Sequence, residues 1–141
     1  MQPNPPHVLI IDDHPMNIEL ASFVLSSHGF ETSSAADADE ALQRIAGQRP
    51  DLILMDIQMP GTDGLSLTRR LKANPALRSI VVVAFTAYAM KGDESRLLAA
   101  GCDGYLAKPI NVASFAAQVR TLLAAGPGTP PGAAAASLSP T

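Results

Sequence analysis

The sequence alternates short apolar runs with segments of helical spacing, and this alternation recurs five times. The apolar runs are His7–Ile11, Phe30–Ser34, Asp51–Met55, Ile80–Phe85 and Cys102–Ala107. The helical segments are Pro15–His28, Asp37–Ala46, Leu65–Lys72, Ala89–Ala100 and Val112–Ala125. Repeated strand–helix units predict a parallel sheet with right-handed crossovers and helices on both of its faces. We therefore predict an α/β protein with a doubly wound five-stranded parallel sheet and five helices.

The composition of the runs predicts where each strand lies in that sheet. The first, third and fourth runs are apolar throughout, which is typical of strands buried on both faces. The second and fifth runs mix polar with apolar residues, which favours positions at or near the sheet edges. Because only 4% of the residues are aromatic while 47% are hydrophobic, we expect an aliphatic core.

Charge and cysteine content limit the partners and the compartment. With 10 basic and 13 acidic residues and a net charge of −3, the chain is a poor ligand for nucleic acid or an anionic membrane surface. One cysteine, Cys102, excludes an internal disulfide and a thiolate metal cluster. There is neither a signal-peptide pattern nor an apolar run of the roughly 20 residues that span a bilayer. We expect a soluble cytoplasmic protein.

The ends of the chain differ in composition from its middle. Every Asp, Glu, Lys and Arg lies between Asp12 and Arg120. The stretch 126–141, GPGTPPGAAAASLSPT, carries no charge and no hydrophobic period from which a core could form. We predict a disordered N-terminus at 1–5, a folded domain at 6–125 and a flexible tail at 126–141.

Polar side chains follow four of the five predicted strands. Asp12 and Asp13 follow the first strand, Asp56 the third, Thr86 the fourth and Lys108 the fifth. In open α/β sheets, ligands bind outside the carboxyl ends of the strands. Crowded carboxylates repel one another, and a hard divalent ion such as Mg²⁺ relieves that repulsion. With a hydroxyl and an ammonium to bind phosphoryl oxygens, the set indicates phosphoryl transfer through an acyl phosphate.

Each of these residues also has a plainer interpretation. Asp13 can serve as a helix N-cap, and Asp56 as a turn residue before MPGTDG. Thr86 can begin the next helix, and Lys108 can be a solvated lysine. His14 can lie near the acidic pair, but the preferred interpretation is a solvated loop histidine. Only the joint occurrence of the set at the ends of four strands favours a common site.

Four segments together resemble the receiver domains of two-component response regulators over about residues 6 to 125. They are IIDDHPMN, DLILMDIQMPGTDG, VVVAFTAYAMKGDE and AAGCDGYLAKPI. The resemblance implies a flavodoxin-like fold with strand order 2-1-3-4-5. Two stretches, FTAYAMKGDE and GCDGYLAKPI, are similar both to stand-alone receivers of the bacterial cell-division type and to receivers of hybrid histidine kinases.

The resemblance also implies a chemistry for the acidic residues. Asp56 is then the phosphoacceptor, which takes a phosphoryl group from a phosphohistidine donor in a Mg²⁺-dependent reaction. Asp12, Asp13 and Asp56 hold the Mg²⁺ together with the backbone carbonyl of Gln58. Such a protein is a phosphoryl acceptor that also loses its phosphoryl group by autodephosphorylation, rather than a conventional enzyme.

The same resemblance assigns the remaining residues of the site. Thr86 and Lys108 bind the phosphoryl oxygens, and a cis peptide joins Lys108 to Pro109. Thr86 and Tyr105 form a switch, in which rotation of the Tyr105 ring reports phosphorylation to a face built from the fourth helix, the fifth strand and the fifth helix.

The implied partners are a histidine kinase, a histidine phosphotransfer protein, or both. We expect a monomer or weak dimer that signals through phosphorylation-dependent binding to another protein, because the tail is too short to form an output domain. Two alternatives stay open, a relay intermediate that passes the phosphoryl group to a phosphotransfer protein and a receiver detached from a hybrid kinase. A flavodoxin-like cofactor binder is disfavoured, since the chain has no Trp to stack on a flavin and no Ser/Thr/Gly-rich phosphate loop.

Overall fold

The computed structural model of the protein describes residues 5–59, 62–86, 91–107 and 110–126. The strands are β1 (His7–Ile11), β2 (Glu31–Ala35), β3 (Leu52–Asp56), β4 (Gln58–Met59), β5 (Thr62–Asp63), β6 (Val81–Thr86) and β7 (Gly104–Ala107). The helices are α1 (Pro15–Ser27), α2 (Ala38–Gly47), α3 (Gly64–Ala73), α4 (Lys91–Ala100) and α5 (Phe115–Ala125). Within these ranges, no helix combines the length and the apolar character needed to cross a membrane.

The main sheet has five parallel strands in the order β2-β1-β3-β6-β7. Because β6 and β7 are its fourth and fifth strands along the chain, this is the 2-1-3-4-5 order, and the predicted fold class is confirmed. The central strands β1, β3 and β6 are buried along their whole length. The two strands of mixed composition, β2 and β7, lie at the edges as expected.

Helices cover both faces of the sheet. Alternate strand residues such as Val8 and Ile10 pack against α1 and α5 on one face. Their neighbours Leu9 and Ile11 belong to a second cluster, to which α2, α3 and α4 contribute buried residues. Because side chains alternate along each strand, the strands contribute residues to two separate apolar layers, one on each face of the sheet. Both layers are mainly aliphatic, as the composition predicts.

Two local features were not predicted from the sequence. After β3 the chain forms a small antiparallel pair, β4 with β5, where Gln58 pairs with Asp63. In addition, α5 begins at Phe115 rather than at Val112. The reason is Asn111, whose carbonyl accepts from the amide of Ser114 at 3.1 Å and whose side-chain oxygen accepts from the amide of Ala113 at 3.0 Å. These bonds hold the preceding residues in a turn.

A buried ion pair connects α3 to the amino ends of β6 and β7. The Lys72 ammonium donates to Asp103 Oδ2 at 2.6 Å and to the carbonyl of Ile80 at 2.9 Å. The same Asp103 oxygen accepts from the amide of Val82 at 2.9 Å. Cys102 lies beside this pair and is buried, and its burial raises the pKa of the thiol to about 11. The pair fixes this end of the sheet, opposite the carboxyl edge where the candidate site lies.

Candidate functional site

Asp12 organises the turn between β1 and α1. Its amide donates to the carbonyl of Ala35 at 3.0 Å, which continues the pairing of β1 with β2 by one residue. Its carboxylate is fully buried. One oxygen accepts from the backbone amide of His14 at 2.9 Å, and the other accepts from Asn17 Nδ2 at 3.4 Å. These bonds keep a buried carboxylate in place at the carboxyl edge of the sheet.

Asp13 and Asp56 lie close to Asp12. One ligand atom from each of these three residues and one from His14 all lie within 4.8 Å of one another. Asp56 is the last residue of β3 and is 1% exposed, whereas the side chain of Asp13 is 28% exposed. Parallel strands bring these carboxylates together because β1 and β3 are neighbours that end at the same edge.

Capping does not account for Asp13. The N-cap of α1 is His14, and its side chain makes no capping hydrogen bond. Pro15 at the first helical position needs no amide partner, so the helix begins there without help from an acidic cap. The carboxylate of Asp13 instead lies 3.0 Å from Nδ1 of His14.

Gly64, the first residue of α3, is a site residue that the sequence did not single out. A Cβ at this position would lie 2.8 Å from the backbone oxygen of Asp56 and 3.0 Å from the Cα of Ile57. No side chain fits there without a backbone shift, so α3 can approach the end of β3 only through a glycine. The Asp-Gly pair that closes MPGTDG was the available signal, although it pointed only to a turn.

Thr86 and Tyr105 lie on neighbouring strands near the same edge. Thr86 is the last residue of β6 and is 3% exposed, so it does not begin the next helix. Tyr105 is half-buried in β7 and packs against the apolar cluster beneath α3 and α4. The coupling of these two residues as a switch remains a prediction.

Three predicted residues stay outside this geometry. Lys108 and Pro109 lie outside the described residues, so the phosphoryl contact of Lys108 and the cis peptide remain predictions. Gln58 lies in β4, two residues after Asp56. Its carbonyl as a metal ligand also remains a prediction.

His14 belongs to the acidic cluster more closely than the sequence indicated. Its side chain is 62% exposed, as expected for a loop histidine. Its Nδ1 nevertheless lies 3.0 Å from Asp13 Oδ1 and 3.2 Å from Asp12 Oδ1. Adjacency to Asp12 and Asp13 in the sequence was the signal for this contact.

Comparisons with known proteins agree with this architecture. The family model described as the response regulator receiver domain matches residues 8–120. The polar-differentiation response regulator DivK of Brucella anthropi is 43% identical over 119 residues, which are 84% of this chain and 97% of that protein. The chain belongs to the response regulator receiver domain family.

Solved receiver structures match the fold closely. A putative response regulator from Chloroflexus aurantiacus superposes with a TM-score of 0.80 at 32% identity, over 86% of this chain and 99% of the other. The signal receiver domain of a signal transduction histidine kinase from Syntrophus aciditrophicus gives a TM-score of 0.76 at 34% identity, over 85% and 91% of the two chains. The family resemblance noted in the sequence is therefore confirmed.

The donor set of this receiver domain fits a divalent cation. Three carboxylates and one imidazole can each offer a ligand atom within a sphere of a few ångströms. Two of the carboxylates, those of Asp12 and Asp56, are buried, and like charges held so close are stabilised by a shared positive ion. The acidic cluster can therefore bind a metal ion.

Proposed function

We propose that this receiver domain accepts a phosphoryl group on Asp56 from a phosphohistidine, with Mg²⁺ held by Asp12, Asp13 and Asp56. The observation that carries the proposal is the convergence of these three carboxylates at the carboxyl edge of the sheet, with ligand atoms within 4.8 Å of one another. Mg²⁺ prefers oxygen ligands and keeps several waters, which suits an open cluster with one part-exposed member.

The chemistry is a displacement at phosphorus. An Asp56 carboxylate oxygen forms a bond to the phosphorus of the donor while the bond from phosphorus to the donor's imidazole nitrogen breaks. The leaving nitrogen keeps the bonding electron pair, and the product on this chain is an acyl phosphate. The metal, when bound, neutralises charge on the phosphoryl oxygens.

The described residues hold the reacting carboxylate and the metal ligands in position, and none of them is assigned a proton transfer. Asp56 is buried at a strand end, where its carboxylate has little freedom to leave the attacking position. Gly64 holds α3 against the backbone of Asp56, and Asp12 holds the loop that carries Asp13. Thr86 is proposed to donate a hydrogen bond to a phosphoryl oxygen. Lys108, which lies outside the described residues, is proposed to do the same.

The direct test is phosphorylation by a small phosphodonor with Mg²⁺. One phosphoryl group per chain should be added, and the product should be labile to hydroxylamine because it is an acyl phosphate. Asp56→Asn should abolish the labelling, whereas Asp39→Asn, an exposed carboxylate on α2, should leave it unchanged. Undiminished labelling of Asp56→Asn would rule out this acceptor.

Receiver domains of this kind interact with histidine kinases or phosphotransfer proteins. A donor of either type must bring its phosphohistidine to Asp56, so it must cover the surface around the site. Helix α1 begins next to the acidic cluster and exposes an apolar stripe at helical spacing. The stripe consists of Met16, Leu20 and Phe23, which are 82%, 40% and 72% exposed. We propose that the phosphohistidine-bearing partner packs on this stripe.

A matched pair of leucines tests this docking. Leu20 on α1 and Leu98 on α4 are both 40% exposed. Leu20→Ser should slow phosphotransfer from a histidine-bearing donor protein, because it places a hydroxyl in the apolar contact. Leu98→Ser should not, and neither change should alter labelling by a small phosphodonor. Equal slowing by both variants would show that the stripe on α1 has no special part in docking.

A further inference from the structure

The imidazole of His14 faces the acidic cluster and not its own helix. Its Nδ1 lies 3.0 Å from Asp13 Oδ1 and 3.2 Å from Asp12 Oδ1. A ring nitrogen of His14 is also one of the four ligand atoms in the group that includes Asp56. The side chain makes no hydrogen bond that caps α1. The ring therefore contacts residues that are proposed to bind the metal ion.

The backbone fixes this placement. The amide of His14 donates to Asp12 Oδ1 at 2.9 Å, which ties the residue to the buried carboxylate. Pro15 follows as the first residue of α1 and restricts the backbone of His14 to an extended conformation, observed at φ −101° and ψ 110°. The backbone of His14 is therefore held on both sides, in the conformation that places its ring beside Asp12 and Asp13.

A nitrogen ligand changes which metal ions a carboxylate site prefers. Carboxylate and water suit Mg²⁺, whereas imidazole suits later first-row divalent ions such as Co²⁺ and Zn²⁺. Zinc sites use histidine together with carboxylates and accept an open position for water or substrate. Four ligand atoms within 4.8 Å of one another, one of them nitrogen, form such a mixed set.

We propose that His14 Nδ1 is a metal ligand, which makes this site favour late first-row divalent ions over Mg²⁺ more strongly than its carboxylates alone would. The proposal rests on the metal site of the proposed function and adds a fourth ligand to it. A competing arrangement is that the ring fills the space between the carboxylates and thereby excludes metal ions. The two arrangements make opposite predictions for removal of the ring.

The test is the metal affinity of the full chain, measured by titration calorimetry at one pH for Mg²⁺, Co²⁺ and Zn²⁺ separately. His14→Ala should weaken Co²⁺ and Zn²⁺ binding by at least about tenfold, in line with the sensitivity of metal sites to loss of a supporting residue. Mg²⁺ affinity should change much less. His28→Ala removes an imidazole at the far end of α1 and controls for general histidine binding, so it should have no effect.

Other outcomes overturn the proposal. An equal loss for all three ions would mean that the ring only supports the loop, and unchanged affinities would mean that it does not reach the metal. Tighter binding of every ion by the variant would show that the ring competes with metal. Phosphorylation of Asp56 with Mg²⁺ is measured separately, so its failure would overturn the proposed function without deciding the metal preference.

A second measurement needs no substitution. Imidazole nitrogen resonances of the unsubstituted chain, recorded with and without Zn²⁺, should show a coordination shift at Nδ1 of His14. His7 and His28 serve as internal references and should not shift. A spectrum in which the His14 nitrogens are unaffected by saturating Zn²⁺ would exclude His14 as a ligand even if the variant does not fold.

Discussion

Thr86 and Tyr105 lie on the same face of two adjacent parallel strands, displaced by one side-chain repeat. In the register of β6 with β7, Thr86 pairs with Ala107 and Ala84 pairs with Tyr105. Side chains alternate along a strand, so Thr86 shares its face with Ala84, which belongs to the same apolar cluster that Tyr105 contacts. A movement of the Thr86 hydroxyl toward Asp56 would therefore change the space beside the Tyr105 ring.

This placement predicts how phosphorylation propagates. A phosphoryl group on Asp56 should draw the Thr86 hydroxyl toward it, and the ring of Tyr105 should then turn inward and change the surface near α4. Phosphorylation need only bias two states that differ by a few kcal/mol. Amide chemical shifts with and without the phosphoryl mimic beryllofluoride should change from Asp56 through Thr86 to Tyr105.

The control for this coupling is a variant that removes the hydroxyl. In Thr86→Val, which keeps the branched shape, beryllofluoride should still alter the shifts around Asp56 but no longer those of Tyr105. If shifts in the wild type stay within the immediate surroundings of Asp56, the switch fails. A relay that only passes the phosphoryl group onward would then be the better interpretation.

Gly64 provides a test of how closely α3 supports the site. Gly64→Ala places a Cβ against backbone atoms that cannot turn away, and overpacking of this kind costs about 1–3 kcal/mol of stability. We expect a lower midpoint of urea unfolding, monitored by circular dichroism, and slower phosphorylation of the folded fraction.

Gly47 is the matched control for that substitution. It is the last residue of α2, and an added Cβ meets nothing within 4 Å. Gly47→Ala should be neutral or stabilise by up to about 1 kcal/mol, because alanine is the better helix former. A Gly64→Ala protein with wild-type stability would contradict the close approach of α3 to Asp56.

The fold was predictable from sequence because its signals are repetitive. Central strands such as β1 and β6 are apolar throughout, and a parallel sheet buries such strands on both faces. The strand order itself came from the family resemblance. The β4–β5 pair escaped prediction because two-residue strands carry no period, and the start of α5 was shifted by the bonds to Asn111.

The site was predictable only as a set of strand-end residues. Asp12, Asp56 and Thr86 end or follow strands that run in the same direction, so their place at one edge follows from the predicted parallel sheet. The contact of His14 with the carboxylates depends on side-chain direction in a loop, which no periodicity reports. The close approach of Gly64 depends on tertiary packing of α3, and it too has no sequence period.

Metal binding should affect the unfolding midpoint of the protein as well as its phosphorylation. Saturating Mg²⁺ should raise the unfolding midpoint of the wild type, because a ligand that binds only the folded state stabilises it. Asp13→Ala should lose this increase together with Mg²⁺-dependent phosphorylation. In EDTA the same variant should be more stable than the wild type by about 1 kcal/mol, since one of three crowded negative charges is gone.

Thermal unfolding of both proteins with EDTA and with Mg²⁺ provides the measurement. Asp37→Ala is not a suitable control, since Asp37 caps α2 by accepting from the amide of Glu40. Asp39→Ala, an exposed residue in the first turn of the same helix, is suitable and should respond to Mg²⁺ as the wild type does. An Asp13→Ala protein that Mg²⁺ stabilises as much as the wild type would remove Asp13 from the metal site.

Because the thiol of Cys102 is buried, we expect its contribution to the free energy of unfolding to decline at alkaline pH. Burial, with a smaller contribution from the Asp103 carboxylate, raises the pKa of the thiol from 9.0 to about 11, against the opposing effects of Thr68 and Lys72. Below pH 9 the folded and unfolded chains both hold the thiol proton, so the thiol leaves stability independent of pH there. Between pH 9 and pH 11 the unfolded chain loses this proton while the folded chain keeps it, which favours unfolding.

The slope is at most about 1.4 kcal/mol per pH unit, and other groups titrate in the same range. The measured quantity is therefore the free energy of unfolding of the wild type minus that of Cys102→Ala, taken from urea titrations at several pH values. This difference should be constant near neutral pH and should fall by about 1 kcal/mol by pH of about 10, because only the wild type carries the thiol. In parallel, a thiol reagent at neutral pH should modify the unfolded chain much faster than the folded one. A difference that stays constant up to pH 11 would show that the buried thiol ionises as easily in the folded chain as in the unfolded one.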